Sequence, residues 1–183
     1  MAPADPFEDV LLGARAGAEW AWTRIHGELS PKLVGYLRAQ GAADPEDVAG
    51  EVFLQVVRGL HGFSGGEREF HAWVFTIAHR RLTDDRRRRR RRPVEVTSDQ
   101  PETAGGGDLH EEVVARIADA SVRAAIDELP PDQRSVLLLR IIGDLTIEEI
   151  ARAVGKRPGA VKALQRRGLL RLERAYPFGA PRR

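Results

Sequence analysis

The chain has 183 residues, enough for one medium-sized domain or two small ones. It contains no cysteine, which excludes disulfides, thiolate metal ligands and a cysteine nucleophile. The formal net charge of +2 is unevenly distributed, because residues 80–92 hold nine arginines against two aspartates. That segment carries +7 and the remainder −5, the charge pattern of a surface that binds a polyanion such as nucleic acid. No apolar run is long enough to span a bilayer, and the N-terminus lacks a signal-peptide pattern, so we expect a cytoplasmic protein without membrane insertion.

The first third of the chain predicts helices with one apolar face. The pattern continues beyond Gly17 and is broken at Gly41, and residues 44–47 (DPED) predict the start of a new helix, with a capping aspartate and Pro45 at the first helical position. That helix carries apolar residues at helical spacing as far as Leu60. The apolar face before it is predicted to contain Val10, Leu11, Ala14, Trp20, Ile25, Leu29, Leu33, Val34 and Leu37.

A turn at residues 62–66 precedes a further helix that leads into the arginine run. Trp73 is in phase with Phe70 and Ile77, so we expect it to be buried. Phe75 and His79 lie four residues apart and out of that phase. They are therefore predicted to be available to a nucleic-acid surface, where stacking and backbone charge hold single strands.

Residues 93–108 (PVEVTSDQPETAGGGD) are rich in proline, glycine and acids and contain almost no large apolar residue. This composition predicts a flexible acidic linker between an N-terminal domain, residues 1–92, and a C-terminal domain, residues 109–183. Helices are predicted near 111–129, 132–142, 146–154 and 158–174, and no segment favours a strand. The predicted fold is all-α, with two small helical domains.

The last two predicted helices have the pattern of a helix-turn-helix. Thr146 and Glu149 form a capping box, Gly155 supplies the tight turn, and Pro158 opens the second helix. On that helix one face is apolar and the opposite face is basic and can enter a major groove. The groove-facing residues are predicted to be Lys162, Ala163, Arg166 and Arg167, with Lys156 and Arg157 placed for phosphates.

Two separated stretches resemble the extracytoplasmic-function sigma factors of bacterial RNA polymerase. Residues 44–56 (DPEDVAGEVFLQV) are similar to the helix of that family that docks on the polymerase, and residues 70–85 (FHAWVFTIAHRRLTDD) to the adjoining segment that binds the promoter −10 element. Residues 129–134 (LPPDQR), 145–151 (LTIEEIA) and 159–162 (GAVK) resemble the domain that binds the −35 element. The resemblance covers nearly all residues from Ala18 to Arg174.

The resemblance implies a non-enzymatic initiation factor that needs no cofactor. Its implied partners are core RNA polymerase, through the clamp helices of the largest subunit and the flap region, promoter DNA, and an anti-sigma protein. The residues matched to polymerase docking are Asp44, Asp47, Glu51 and Gln55. Those matched to the −10 element are Phe75, His79, Arg80, Arg81, Asp84, Arg87 and Arg88.

Some positions depart from the pattern of the family. Arg80 stands where many relatives carry asparagine near a flipped −10 base, and Arg157-Pro158 replaces a start with a small capping residue. Leu164 and Gln165 also differ from the common pattern of the recognition helix. The family's DNA sequence preferences therefore cannot be transferred to this chain.

Three other classes of function are compatible with parts of the sequence. The helix-turn-helix alone fits a dimeric operator-binding regulator, and the arginine run alone fits an RNA-binding protein. A nuclease is the enzymatic alternative, with Asp84 and Asp85 as a conceivable metal site, although these acids are better placed to pair with the neighbouring arginines. The five scattered histidines form no metal-ligand motif, and the chain has no phosphate-binding glycine loop.

Overall fold

The computed structural model describes residues 7–91 and 120–175, and all regular structure within them is helical. The N-terminal half contains α1 (Phe7–Arg15), α2 (Glu19–Ala39), α3 (Pro45–Gly59), a 3₁₀ turn (Leu60–Gly62) and α4 (Glu67–Arg91). The C-terminal half contains α5 (Ala120–Asp127), α6 (Pro131–Ile141), α7 (Ile147–Val154) and α8 (Pro158–Ala175). The all-α prediction is confirmed. The predicted linker, residues 93–108, and the start of the predicted helix at 111 lie outside the described residues.

The predicted local signals end and start helices as expected. Gly41, the predicted break, follows α2 with a left-handed φ of 75°. Gly17, where the apolar pattern was predicted to continue, also adopts a left-handed φ of 78° and separates α1 from α2. At the start of α3, Asp44 Oδ1 accepts a hydrogen bond from the Asp47 amide at 2.9 Å. These short-range features fix the boundaries of the N-terminal helices because each satisfies or ends a local backbone hydrogen-bond pattern.

Helix α4 is the central element of the molecule. It packs against α3 on one side and against α7 of the C-terminal half on the other. A single cluster of buried apolar residues extends through both halves, from Val10 in α1 to Val161 in α8. Because α2 also packs on α4, three neighbours cover it, and its buried face is wider than that of an ordinary amphipathic helix.

Three aromatic side chains depart from the predicted burial. Trp20 was expected in the core but is 49% exposed, with its ring beside Gly13. Trp73 is only partly buried and stacks on Phe63, with ring centroids 5.1 Å apart. Phe75, expected at an open surface, is 1% exposed.

None of the described helices is long and apolar enough to cross a membrane.

Candidate nucleic-acid interface

The helix-turn-helix of α7 and α8 has the predicted local geometry. Thr146 Oγ1 accepts from the Glu149 amide at 3.3 Å, and Glu149 Oε2 accepts from the Thr146 amide at 2.7 Å, so both halves of the capping box are formed. Gly155 ends α7 with φ of 67° and ψ of 34°. Burial raises the pKa of the Glu149 carboxyl, but hydrogen bonds from Thr146 and the nearby Arg68 outweigh it and hold the pKa below the ordinary value.

Helix α8 presents its basic face to solvent. Val161 and Gly168 are buried against the core, and Gly168 allows close approach because an added Cβ would lie 2.7 Å from Leu137 Cδ1. Leu164 and Leu172 pack beside them, as predicted. The exposed side chains on the other face are Lys162, Ala163, Arg166 and Arg167. The division of α8 into a packing face and an open basic face is confirmed.

The two residues before α8 have different environments. Arg157 is exposed, whereas Lys156 Nζ forms an ion pair with Asp132 Oδ2 at 2.9 Å. A phosphate contact by Lys156 would therefore replace this ion pair. The sequence did not indicate the pairing, because Asp132 belongs to a different helix, α6.

The prediction that Phe75 and His79 are available to nucleic acid is wrong for this arrangement of the two halves. The Phe75 ring packs edge-on against Tyr36, with centroids 5.6 Å apart, and lies under Gly143 of the C-terminal half. The Tyr36 hydroxyl lies 3.0 Å from His79 Nδ1, and His79 is partly buried. Packing against α2 and the C-terminal half, neither visible in the periodicity of α4, accounts for this burial.

The surroundings of His79 disfavour its charged form. Burial is the main cause, and Arg86 and Arg80 add to it, while Asp132 on α6 acts in the opposite direction. Together they lower the pKa of His79 to about 4. At neutral pH the imidazole is therefore uncharged and adds no positive charge to this surface.

The arginines at the end of α4 divide into exposed and engaged side chains. Arg80, Arg87 and Arg88 are exposed, as is Asp84. Arg81 Nε is 2.5 Å from Glu51 Oε2, so this cation pairs with the predicted docking helix. Arg86 donates to the main-chain carbonyl of Gln40 at the end of α2. Three arginines of the predicted −10 set thus form an open cationic surface, and the side chains of residues 89–92 lie outside the described part.

The predicted docking strip lies on the open side of α3. Asp44, Asp47 and Gln55 are exposed, and Glu51 is partly exposed in its pair with Arg81. Sequence reasoning missed two exposed apolar residues of α3 next to this strip, Leu54 and Val57, which are 57% and 47% exposed. The phase of Leu54 could have revealed it, because Leu54 falls opposite Val52 and Val56, which are fully buried.

One group of side chains could offer three ligand atoms to a cation. The ligand atoms of Glu28, Glu67 and His71 all lie within 4.8 Å of one another. His71 Nε2 lies 3.5 Å from Glu28 Oε1, a contact that becomes an ion pair when the imidazole is protonated. The sequence did not indicate this group, because the three residues come from two helices, α2 and α4, that are separate in the chain.

Two family models match the two halves of the chain. "Sigma-70 region 2" matches residues 25–92, and "Sigma-70, region 4" matches residues 119–172. The first contains α3 and α4 with the docking strip and the arginines, and the second contains the helix-turn-helix. The fold and these surfaces define an initiation factor of the sigma-70 class.

Curated relatives place the chain in a narrower group. It is 33% identical over 176 residues to the ECF RNA polymerase sigma factor BldN of Streptomyces coelicolor, covering 94% of this chain and 66% of that relative. It is 32% identical over 172 residues to the ECF sigma factor SigD of Mycobacterium tuberculosis, covering 90% and 81%. The chain belongs to the extracytoplasmic-function sigma factors, which recognise promoters for RNA polymerase and regulate transcription rather than act as enzymes.

Solved structures agree on the fold. CnrH, in complex with the cytosolic domain of CnrY, matches with a TM-score of 0.64 and 21% identity, over 96% of this chain and 100% of that one. The sigma factor RpoE of Bartonella quintana, in complex with the anti-sigma factor NepR, matches with a TM-score of 0.65 and 20% identity, over 86% and 99%.

Proposed function

We propose that this sigma factor holds a promoter at two separate places, through α8 at the −35 element and through α4 at the −10 element. The observation that carries the proposal is the open basic face of α8, which follows a tight turn as a recognition helix does. The exposed arginines near the end of α4 provide the second cationic surface, in the other half of the molecule. The proposed domain bounds are residues 1–92 and 109–183, with residues 93–108 as the linker.

The two surfaces have different roles in this proposal. On α8, Arg166 and Arg167 have the side chains that read guanine in a duplex, and Ala163 leaves room for a thymine methyl group. On α4, the exposed side chains of Arg80, Arg87 and Arg88 hold backbone phosphates of the opened strand. The first surface needs intact duplex, and the second needs single-stranded DNA.

Transcription with core polymerase tests this function directly. Core polymerase and the purified chain are incubated with a genomic fragment library, and the 5′ ends of the transcripts are mapped. Starts that share two sequence blocks upstream, and that vanish without the chain, support the proposal. Binding to an operator in the absence of polymerase, with no new transcript, would instead indicate the dimeric regulator.

Docking on core polymerase is assigned to the open side of α3. Leu54 and Val57, three residues apart on α3, give an exposed apolar edge beside the polar strip of Asp47, Glu51 and Gln55, and protein interfaces combine apolar and polar residues in this way. The acidic members suit the basic partner that the clamp helices present in this family.

A charge reversal in this strip separates docking from folding. Asp47→Arg should reduce affinity for core polymerase at least about tenfold, because it places a cation where the proposal needs an anion. Asp9→Arg is the matched control, an exposed carboxylate on α1 of the same half. Equal core affinity of both variants would remove α3 from the docking assignment.

Two further assignments complete the proposal. An anti-sigma protein restrains the factor, by analogy with RpoE of Bartonella quintana, which is bound to the anti-sigma factor NepR in its solved complex. Addition of a cognate anti-sigma domain should abolish the transcripts defined above.

The factor acts in the cytoplasm, so cell fractionation should recover it with polymerase rather than with membranes.

A further inference from the structure

Three potential metal ligands converge where α2 meets the first two turns of α4. Glu28 comes from α2, and Glu67 and His71 come from α4. One ligand atom of each residue, a carboxylate oxygen or an imidazole nitrogen, lies within 4.8 Å of the other two. Imidazole nitrogen and carboxylate oxygen are both ordinary ligands of Zn²⁺ in proteins, and three protein ligands with one water complete a four-coordinate site.

The spacing of the two ligands on α4 suits a shared ion. Glu67 and His71 are four residues apart, so the helix places them on one face, about one turn from each other. Glu28 supplies the third ligand from the neighbouring helix. Helical bundles build metal sites in the same way, from carboxylates and histidines on facing helices. The arrangement therefore has the ligand types and the helix geometry of a metal site.

The distance between two of the ligands fits a shared ion better than a direct hydrogen bond. His71 Nε2 lies 3.5 Å from Glu28 Oε1, which is beyond the roughly 2.7–3.2 Å of an N–H···O hydrogen bond. Two ligands that each bind a tetrahedral Zn²⁺ at about 2.0–2.1 Å are about 3.4 Å apart. Zinc can thus bind between these two atoms with little movement of either side chain. A cation would also offset the repulsion between the carboxylates of Glu28 and Glu67, which are this close at the surface.

The surroundings orient His71 and leave room for an ion. The Phe7 ring meets the imidazole edge-on, with ring centroids 6.2 Å apart, and His71 Nε2 is buried on the side of Glu28. Glu67 is exposed, so an ion can enter from solvent. Glu67 and His71 also line a cavity of about 260 Å³, which has space for the water that would complete the coordination.

We propose that Glu28, Glu67 and His71 form a zinc site that ties α2 to the start of α4. The site is remote from the proposed DNA contacts, because Arg80 lies about 14 Å beyond His71 along the axis of α4. Bound zinc joins two helices of the N-terminal half and stabilises that half without occupying a promoter surface. The alternative is an ion pair between Glu28 and protonated His71 that takes up no metal.

A zinc titration of the full-length chain without an affinity tag tests the site. Calorimetry with Zn²⁺ alone should show one saturable site per chain. Glu28→Gln, Glu67→Gln and His71→Gln, each made singly, should weaken binding by more than about tenfold, since even an outer partner of a metal ligand contributes that much. Glu19→Gln and His61→Gln change exposed residues of the same half and should leave the affinity as it was. Circular dichroism shows which variants are folded, and any one folded ligand variant is sufficient for the comparison.

Two further measurements separate a metal site from an ion pair. Zinc should raise the urea midpoint of the unmodified chain but not that of His71→Gln, because only the unmodified chain gains a bound ligand on folding. Co²⁺ in place of zinc should give the strong visible absorption of a four-coordinate ion, and Mg²⁺ should not displace it, because Mg²⁺ prefers six oxygen ligands. Absence of saturable zinc binding, or binding that survives all three ligand substitutions, would overturn the inference.

Discussion

Arg81 of α4 donates to Glu51 of α3 across 2.5 Å, so a residue assigned to DNA and a residue assigned to polymerase docking are partners of each other. The hydrogen bond from Arg81 is the main cause that holds the pKa of the Glu51 carboxyl below its ordinary value, and the same contact raises the pKa of Arg81. Both side chains are partly exposed, and exposed pairs contribute little to stability because water and salt screen them. Their pairing therefore orients two binding groups more than it holds the fold.

A charge swap distinguishes the two roles of this pair. Glu51→Arg alone should lower the free energy of unfolding by no more than about 1 kcal/mol, through like-charge repulsion with Arg81. The double variant Glu51→Arg with Arg81→Glu should regain that stability but still bind core polymerase weakly. Urea denaturation and core-binding titrations measure the two quantities. Recovery of polymerase affinity in the swap would mean that Glu51 acts only through its pair with Arg81.

The turn of the helix-turn-helix needs glycine for a conformational reason. Gly155 has φ of 67° and no atom within 4 Å of where a Cβ would be, so substitution costs backbone strain rather than a clash. Gly155→Ala should destabilise the chain by about 1 kcal/mol, and Gly155→Asn by less, because asparagine tolerates this region. Thermal unfolding measures the difference.

Gly159 provides the control for that substitution. It lies in the first turn of α8, also with open space where a Cβ would be added, and its φ is outside the left-handed range. Gly159→Ala should therefore leave stability unchanged or raise it slightly, since alanine favours helix. If both glycines tolerated alanine equally, the left-handed turn would carry no conformational cost.

Sequence reasoning succeeded where one segment determines its own structure. Thr146 with Glu149 and Asp44 with Pro45 are local signals, and each gave a correct helix start. Phe75 was misplaced because its burial depends on Gly143, which is 68 positions further along the chain. Periodicity predicts which residues share a helix face, but it does not say how many neighbours that helix will have. The partners of Lys156 and Arg81 were missed for the same reason.

The buried imidazole of His79 makes stability depend on pH. Its pKa is about 4 in the folded chain against an ordinary value of about 6.5, so the unfolded chain binds the proton first as pH falls. The stability that the uncharged ring contributes at neutral pH should therefore be lost as the pH falls from about 6.5 to about 4, at up to about 1.4 kcal/mol per pH unit. Arg86 and Arg80 act with burial to lower this pKa, and the opposing carboxylate of Asp132 does not reverse the direction.

Urea titrations at a series of pH values measure this dependence. His79→Gln should flatten the fall relative to the unmodified chain, because glutamine can accept the Tyr36 hydrogen bond and does not titrate. His61→Gln, at an exposed position in the same half, should leave the slope as it was. A slope in His79→Gln as steep as that of the unmodified chain would assign the acid sensitivity to other groups.

The open face of α8 should separate residues that read bases from residues that only attract phosphate. Arg166→Ala should cost about 1–3 kcal/mol for the preferred −35 duplex and little for duplex of unrelated sequence, because a bidentate contact to guanine is specific. Lys162→Ala should weaken both duplexes alike, because a lysine that contacts phosphate does not read the sequence. It should also reduce the slope of log affinity against log salt concentration by about 1. Arg174→Ala is the control, since it lies about 18 Å further along the helix axis from Lys162. Affinity titrations on both duplexes at three salt concentrations measure all three variants. An equal loss on both duplexes for Arg166→Ala would move this residue from base recognition to phosphate binding.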